Sequence, residues 1–343
     1  MIGRLRQAMV AAAVGAAALA ILPATADAAG RQALLHRYQP VTVLDGLEQF
    51  APTTVGSFVG DAVLETQTAP DQWAVVDTSP RPGGLPVRDT AACKAQDLSL
   101  CFRLNQATCS PADGPAGVAC YHDAWQTPPA PRSVVYGRAV ALGGSTLLQY
   151  WYFSYDDLYS YNYPPDALFW QAHEGDWELV NVLIRHGRPV TVGYSQHCTG
   201  ERRAWADVER WQGTTHPVVY VANGSHANLF APGEHPIAEQ CIPAKAIALL
   251  QQFGLPLPSD HAHPGNAVYG PAGLDGVSAT GLARVSLQTP RWIRFAGTWG
   301  ELQLFHAPAP VGTVADGFSP ASPSRQDSWR HPLRTLAGWP VTS

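Results

Sequence analysis

The stretch Ala172-His173-Glu174-Gly175-Asp176-Trp177-Glu178 gathers an imidazole and three carboxylates, then runs into the apolar segment Leu179-Val180-Asn181-Val182-Leu183-Ile184. With Gly175 supplying a turn and a strand beginning near Asp176, a period of two places Asp176 and Glu178 on one face and Trp177 on the other. Two carboxylates on a shared face repel one another unless a cation or a shared proton compensates. His173, three residues before Asp176, completes a mixed oxygen and nitrogen ligand set, so the spacing predicts a divalent-cation site at a strand end. The alternative is a buried structural cluster in which His173 caps the turn and the acids pair with arginines.

Other histidines and acids fall at the ends of segments that read as strands. Thr146 to Asp156 is rich in aromatic residues, with both faces apolar as in a central sandwich strand, and it ends in Asp156-Asp157. In Arg188 to His197, Val190, Val192 and Tyr194 share one face and Ser195 and His197 the other. Pro217 to Ala222 is a short apolar strand followed by Asn223-Gly224-Ser225-His226. The candidate ligands are therefore Asp156, His173, Asp176 and Glu178. His197 and His226 stand nearby as outer-shell or ligand-contacting groups, together with Trp177, Ser195 and Tyr155. Oxygen donors suit Mg2+, Ca2+ or Mn2+, and His173 draws the preference toward Mn2+ or Zn2+. Each histidine alone also reads as a hydrogen-bonded structural residue. His186, His216, His235, His261 and His263 lie in loop-like sequence and read as surface residues.

Rival chemistries find less support. Ser225 beside His226 lacks the second glycine and the strand-turn-helix flanks of a nucleophile elbow. Asp176 and Glu178, two apart on one strand, are too close for the acid and base that flank a glycosidic bond, about 5 to 9.5 Å apart. A metal-dependent hydrolase, in which a cation activates water and His197 or His226 moves a proton, stays open. So does a structural cell-envelope protein whose ion only stiffens loops.

The elements that must position these groups are short. Of 343 residues, 14% are charged, and 30 Pro and 31 Gly favour many short strands joined by turns over long helices. The expected architecture is an antiparallel β-sandwich with long loops and one or two short helices, a helix being read over Ala244 to Phe253. The first residues read as an export signal, 1–28: Arg4 and Arg6, an apolar run from Met9 to Leu22, and small residues at 24–28. No later stretch is long and apolar enough to span a membrane, so a secreted chain is expected. Residues 29–343 read as one domain, with a Cys/Pro/Gly-rich irregular insertion at 77–132, a core with the metal site at 133–300, and an extended tail at 308–343 anchored by Trp329 and Trp339. Strands are expected over Val285 to Leu287 and Trp292 to Phe295. Six cysteines in an exported chain predict disulfides, four of them in a local cluster and Cys198 with Cys241 left to close a loop; spacing alone does not choose the pairing. A net charge of −5 without basic clusters excludes a nucleic-acid partner.

Three stretches in order, Trp151 to Asp156, His173 to Glu178 and Gly193 to His197, resemble the necrosis- and ethylene-inducing-like proteins, whose signature is G-H-R-H-D-W-E. His173, Asp176, Trp177 and Glu178 match it; Ala172, Glu174 and Gly175 replace its first Gly, its Arg and its second His. The resemblance implies a β-sandwich with a divalent cation held at its rim by Asp156, His173, Asp176 and Glu178. It also implies a cytolysin-like protein that recognises a sphingolipid glycan headgroup at a membrane surface. The stretches His216 to Ala227 and Gly297 to Glu301, with the same H-x-G-D-W-E core, resemble the family related to vacuolar protein sorting-associated protein sixty-two. The segment between Asp156 and His173 reads as a long loop over the metal, and its Tyr155, Tyr159, Tyr161 and Tyr163 suit a sugar or a phosphorylated headgroup.

Overall fold

The computed structural model describes residues 22–95, 100–126, 133–163, 167–242, 244–252, 254–309 and 312–342. Most of the expected export signal lies outside them. Helix Leu22–Arg37 spans the proposed cleavage positions, and its Leu35 is buried, the carbonyl accepting from the Tyr150 hydroxyl at 2.9 Å. Among the described residues no helix is long and apolar enough to cross a membrane.

In chain order, β1 (Val41–Asp45) is followed by a three-stranded unit, β2 (Ala62–Ala69), β3 (Gln72–Asp77) and β4 (Phe102–Gln106), with β2 in the middle. Next come β5 (Val134–Leu142), β6 (Ser145–Tyr163), β7 (Ala167–Arg185), β8 (Arg188–Gln196) and β9 (Thr199–Ala204). Short strands then follow: β10 (Val218–Val221), β11 (Asn228–Leu229), β12 (Gly233–Pro236), β13 (Ser259–Ala262), β14 (Pro264–Gly270), β15 (Ser278–Ala279) and β16 (Gly281–Arg284). The last two are β17 (Leu302–Ala307) and β18 (Gly312–Phe318). The main sheet runs β16-β5-β6-β7-β17-β18, with β8 and β9 continuing from the other half of β7. A second sheet, β11-β10-β1-β14-β15, covers one of its faces.

This architecture follows from β6 and β7, which are apolar on both sides. Leu147, Trp151, Phe153 and Tyr155 join one buried cluster with Phe58, Phe102, Trp292 and Trp299. Leu148, Tyr150 and Tyr152 join another with Leu44, Val219 and Val221 of the covering sheet. A strand that alternates between two cores in this way has to lie in the centre of a layered fold.

Several sequence expectations shift. The long loop expected between Asp156 and His173 is instead the outer half of a hairpin: β6 and β7 stay in register from Ser145↔Arg185 to Tyr163↔Ala167. Tyr155, Tyr159, Phe169 and Trp170 are aromatic residues of high strand propensity. The turn assigned to Gly175 is likewise strand interior. The 77–132 insertion is more regular than expected, containing β4 and helices Ala91–Ala95 and Val118–Gln126, with disulfides Cys93–Cys101 and Cys109–Cys120. The third disulfide is Cys198–Cys241, the pair left over in the sequence. Strand structure near Val285 falls instead at Gly281–Arg284, and Arg291–Arg294 is a 3-10 turn. The expected extended tail holds β18 and helices Asp327–Arg330 and Pro332–Gly338, with Trp329 and Trp339 buried as anchors. The helix read over 244–253 is present at Ala244–Gln252.

Gly175 has φ +55°, left-handed in mid-strand, and a Cβ there would run into the Trp299 carbonyl oxygen and lie 3.0 Å from the Trp299 Cβ. The left-handed residue breaks the alternation, so Glu174 and Asp176 do not share an environment. Glu174 accepts from the backbone of Gln106 and Glu301 and from the Tyr121 hydroxyl, whereas Asp176 faces His226. Gly175→Ala should therefore destabilise the fold by about 2 kcal/mol or more through backbone strain plus the clash. In a thermal melt this lowers Tm by several degrees; an unchanged Tm would contradict the packing described.

Candidate functional site

Asp157 and His173 are directly paired in the β6–β7 ladder, and Asp176 and Glu178 follow on β7. His226 reaches the same place from the turn after β10, and His197 from the turn between β8 and β9. Asp157, Asp176 and His226 each offer a ligand atom within 4.8 Å of the others, and all three residues are buried. For bonds of about 2.1 to 2.4 Å to a hard cation, adjacent ligands lie about 3 to 3.4 Å apart and opposed ligands up to about 4.8 Å. The spacing of the trio fits such an ion.

The polar atoms agree with this fit. His226 lies 3.4 Å from Asp176 Oδ2 through Nδ1 and 3.6 Å from Glu48 Oε1 through Nε2, too long for good hydrogen bonds. Asp176 Oδ2, both oxygens of Asp156 and both ring nitrogens of His226 are buried without a hydrogen-bond partner. Orphaned buried polar atoms are costly, so a concentration of them at one point signals a missing partner. Burial pushes the Asp157 carboxyl up to about 6 against the pull of His173, and raises Asp156 well above the usual carboxylate range. Glu178 is raised well above its ordinary value by burial and then by the charge of Asp176. On His226 burial opposes the charged form, but Glu48 and Asp176 override it and raise the pKa well above the ordinary value. The centre is thus deficient in positive charge.

Neighbouring groups are fixed by the backbone. His173 Nδ1 lies 3.1 Å from the Gly175 carbonyl oxygen, which holds the proton on that nitrogen and leaves Nε2 facing Asp157 at 3.7 Å. Ser195 Oγ accepts from the Leu179 N–H at 2.6 Å and donates to Glu178 Oε2. His226 and His197 adopt φ +53° and +50°, a conformation rarely held by residues with a Cβ. For His226 the turn is laid against β6: Glu48 accepts from the Gly224 N–H at 2.7 Å, Leu158 N–H donates to the Gly224 carbonyl, and a Cβ on Gly224 would meet the Leu158 carbonyl. Asp260 holds both histidine turns, lying 2.9 Å from His197 Nε2 and accepting from Ser225 Oγ at 2.6 Å.

The structure thus brings His173, Asp176, Glu178, His197 and Ser195 to one region with His226. Asp157, rather than Asp156, is the β6 acid in the close cluster. Asp156 faces an adjoining cavity with Glu48 and the other side of His226. Tyr155 is not at the site: it is fully buried on the opposite face, its hydroxyl 2.8 Å from Asp61 and 2.9 Å from Gln106. Trp177 is chiefly a core residue, packed against Phe153, Trp292 and Trp299, although it borders the cavity. Tyr159 packs beside the site and donates to the Ser259 carbonyl, and the side chains of Tyr161 and Tyr163 lie outside those described. Glu48 and Asp260 carried no signal in the sequence, because each stands in a turn-rich stretch far from the H-x-G-D-W-E core.

A cavity of about 350 Å3 opens on the cluster, lined by Asp157, His173, Asp176, Glu178, His197, Ser225 and the amides of Gln171, Gln303 and Gln326, with Phe318, 44% exposed, beside it.

No family model and no curated protein matches this chain. Among solved structures, a toxin fold described for microbial attack and plant defense is 17% identical, covering 58% of this chain and 68% of that one, with a TM-score of 0.29. NLPPya in complex with mannosamine is 18% identical over 59% of this chain and 68% of that one, also at 0.29. At that score the likeness carries no argument about site or activity.

On His197 burial disfavours the charged imidazole, but the Asp260 carboxylate overrides it and raises the pKa to about 9. With an unfolded value of about 6.5, the pair's stabilisation is complete below that pH and is lost as pH rises through about 9. The Tm advantage of the native chain over His197→Gln should therefore shrink between pH 6.5 and 10, by the equivalent of about 2 to 3 kcal/mol. A gap independent of pH would show that His197 is not charged in the fold.

Proposed function

We propose that this chain is an exported divalent-cation-binding protein whose cation, held by Asp157, Asp176 and His226 with His173 and Glu178 beside them, anchors the hydroxyl or phosphate oxygens of a glycan or lipid headgroup. The observation that carries this reading is the trio of converging buried ligand atoms, several without a hydrogen-bond partner, two of whose residues, Asp157 and Asp176, line a polar cavity. The metal would supply a fixed positive charge to ligand oxygens. This chain's own residues do the rest: the side chains of Gln171 and Gln303 on the cavity wall can hydrogen-bond hydroxyls, and the exposed Phe318 ring offers a face for an apolar sugar surface. The oxygen-rich donor set favours Ca2+, Mg2+ or Mn2+, with Zn2+ weaker here. The three disulfides are compatible with an oxidising, extracellular location.

The test is a calorimetric titration of chelator-stripped protein with Ca2+, Mg2+ and Mn2+, followed by glycan and lipid-headgroup panels with and without chelator. Asp176→Asn and Asp157→Asn should each weaken cation affinity at least tenfold and abolish chelator-sensitive ligand binding while leaving the circular-dichroism spectrum unchanged. Ester or phosphodiester turnover that disappears in Asp176→Asn would replace the reading with a metal-dependent hydrolase. A cation that raises Tm without conferring any ligand binding would replace it with a structural role.

A further inference from the structure

A second group of metal-type ligands lies on the outer surface of the β12–β13 ribbon. Glu234 is paired directly opposite His261, and His263 follows two residues later. Both imidazoles therefore leave the same side of the chain, with ring centroids 6.4 Å apart and planes inclined by 24°. Of these two histidines, read from sequence as surface residues in loops, His263 is exposed as expected and lies just beyond the strand, whereas His261 is half-buried and sits on it. Glu234 Oε1 lies 2.6 Å from His261 Nδ1 and 3.7 Å from His263 Nε2, and one ligand atom from each residue falls within 4.8 Å of the others.

We propose that Glu234, His261 and His263 form a surface transition-metal site that takes Zn2+, separate from the buried cation site. Tetrahedral zinc with bonds of about 2.0 to 2.2 Å sets its ligand atoms about 3.3 to 3.6 Å apart. The 3.7 Å separation already matches. The 2.6 Å hydrogen bond has to open by less than 1 Å, which the Glu234 side chain, 54% exposed, has room to do. The third residue is held through its backbone. Asp45, 3% exposed at its side chain, accepts from the His263 backbone N–H at 2.5 Å and so fixes the main chain from which the ring projects; the same carboxylate lies 3.9 Å from His263 Nδ1, beyond hydrogen-bond length. Two imidazoles and one carboxylate select Zn2+ and its neighbours over Ca2+ and Mg2+, the reverse of the oxygen-rich buried cluster, and leave a fourth position for water.

The location gives the site a consequence. Asp260, between Ser259 and His261 on β13, points inward and holds His197 and Ser225, while the His261 carbonyl accepts from the Asn223 N–H at 2.9 Å. Zinc on the outer face would clamp β12 and β13 to Asp45 of β1, and so stiffen the strand that positions the cavity's histidine turns.

The experiment titrates Zn2+ by calorimetry, and Co2+ by its visible absorption, into the full chain with excess Ca2+ present to occupy the buried site. One Zn2+ per chain and the absorption of four-coordinate Co2+ are expected. His261→Ala and His263→Ala should each weaken Zn2+ at least tenfold with an unchanged circular-dichroism spectrum, and Asp176→Asn should bind Zn2+ as the native chain does. Zinc binding that survives both histidine substitutions, or is lost in Asp176→Asn, places the metal elsewhere and overturns the proposal. No zinc binding under these conditions overturns it too, leaving the trio as an exposed Glu–His ion pair.

Discussion

The constraint on which this fold turns is the burial of more carboxylates than imidazoles around His226. Asp156, Asp157, Asp176, Glu178 and Glu48 all lie in reach of His226 or of one another, and His226 with its neighbours His173 and His197 cannot balance five acids in a poorly solvated interior. Protons taken up by the acids are one remedy and a bound cation is another. The backbone has gone to some length to keep the groups together: two histidines are held at positive φ, and a glycine is required in the middle of the central strand. Such strain persists only where the surroundings over-determine it.

Those surroundings are the two cores. The β6–β7 hairpin passes between them, so the same two strands that carry Trp151, Phe153, Leu179 and Val182 in the packed layers carry Asp157, His173 and Asp176 beyond. Trp299 and Phe153 pack against the backbone of Gly175. Trp299 closes on Gly175 from one side and donates its indole N–H to Ser322 Oγ at 2.9 Å, tying the C-terminal segment to the strand. The matched Trp of the H-x-G-D-W-E core thus serves the fold, while its flanking acids serve the site.

Much of this was legible in the sequence, and what was not has identifiable causes. The two-sided apolar pattern of residues 146–156 was enough to place a central strand, and of the polar cluster at residues 173–178 His173, Asp176 and Glu178 line the candidate cavity while Glu174 does not. The choice between Asp156 and Asp157 was not legible, because it depends on the ladder register that sets Asp157 opposite His173, and alternation within a single strand carries no register. Extending the strand pattern past Asp156 failed for a related reason: a polar, tyrosine-rich run reads equally as loop or as an outer hairpin until its partner is known. Asp260 and Glu48 act across 63 and 178 residues of chain, from His197 and to His226, and no local spacing encodes contacts of that kind. The resemblance drawn from short motifs pointed to a layered β fold with an ion at its rim, and the described residues supply the layers.

Placing the ligand groups on the central hairpin has a mechanical corollary. The cores pin the backbone of the two strands, so Asp157, His173 and Asp176 project from main chain held as firmly as the packed layers it continues from. Traffic into the cavity must pass through the parts at its margin: the turn carrying His226, the disulfide-clipped turn carrying His197, and the C-terminal segment with Gln326. The candidate cavity thus joins a floor fixed by two cores to a margin fixed by turns, one disulfide and the C-terminal segment.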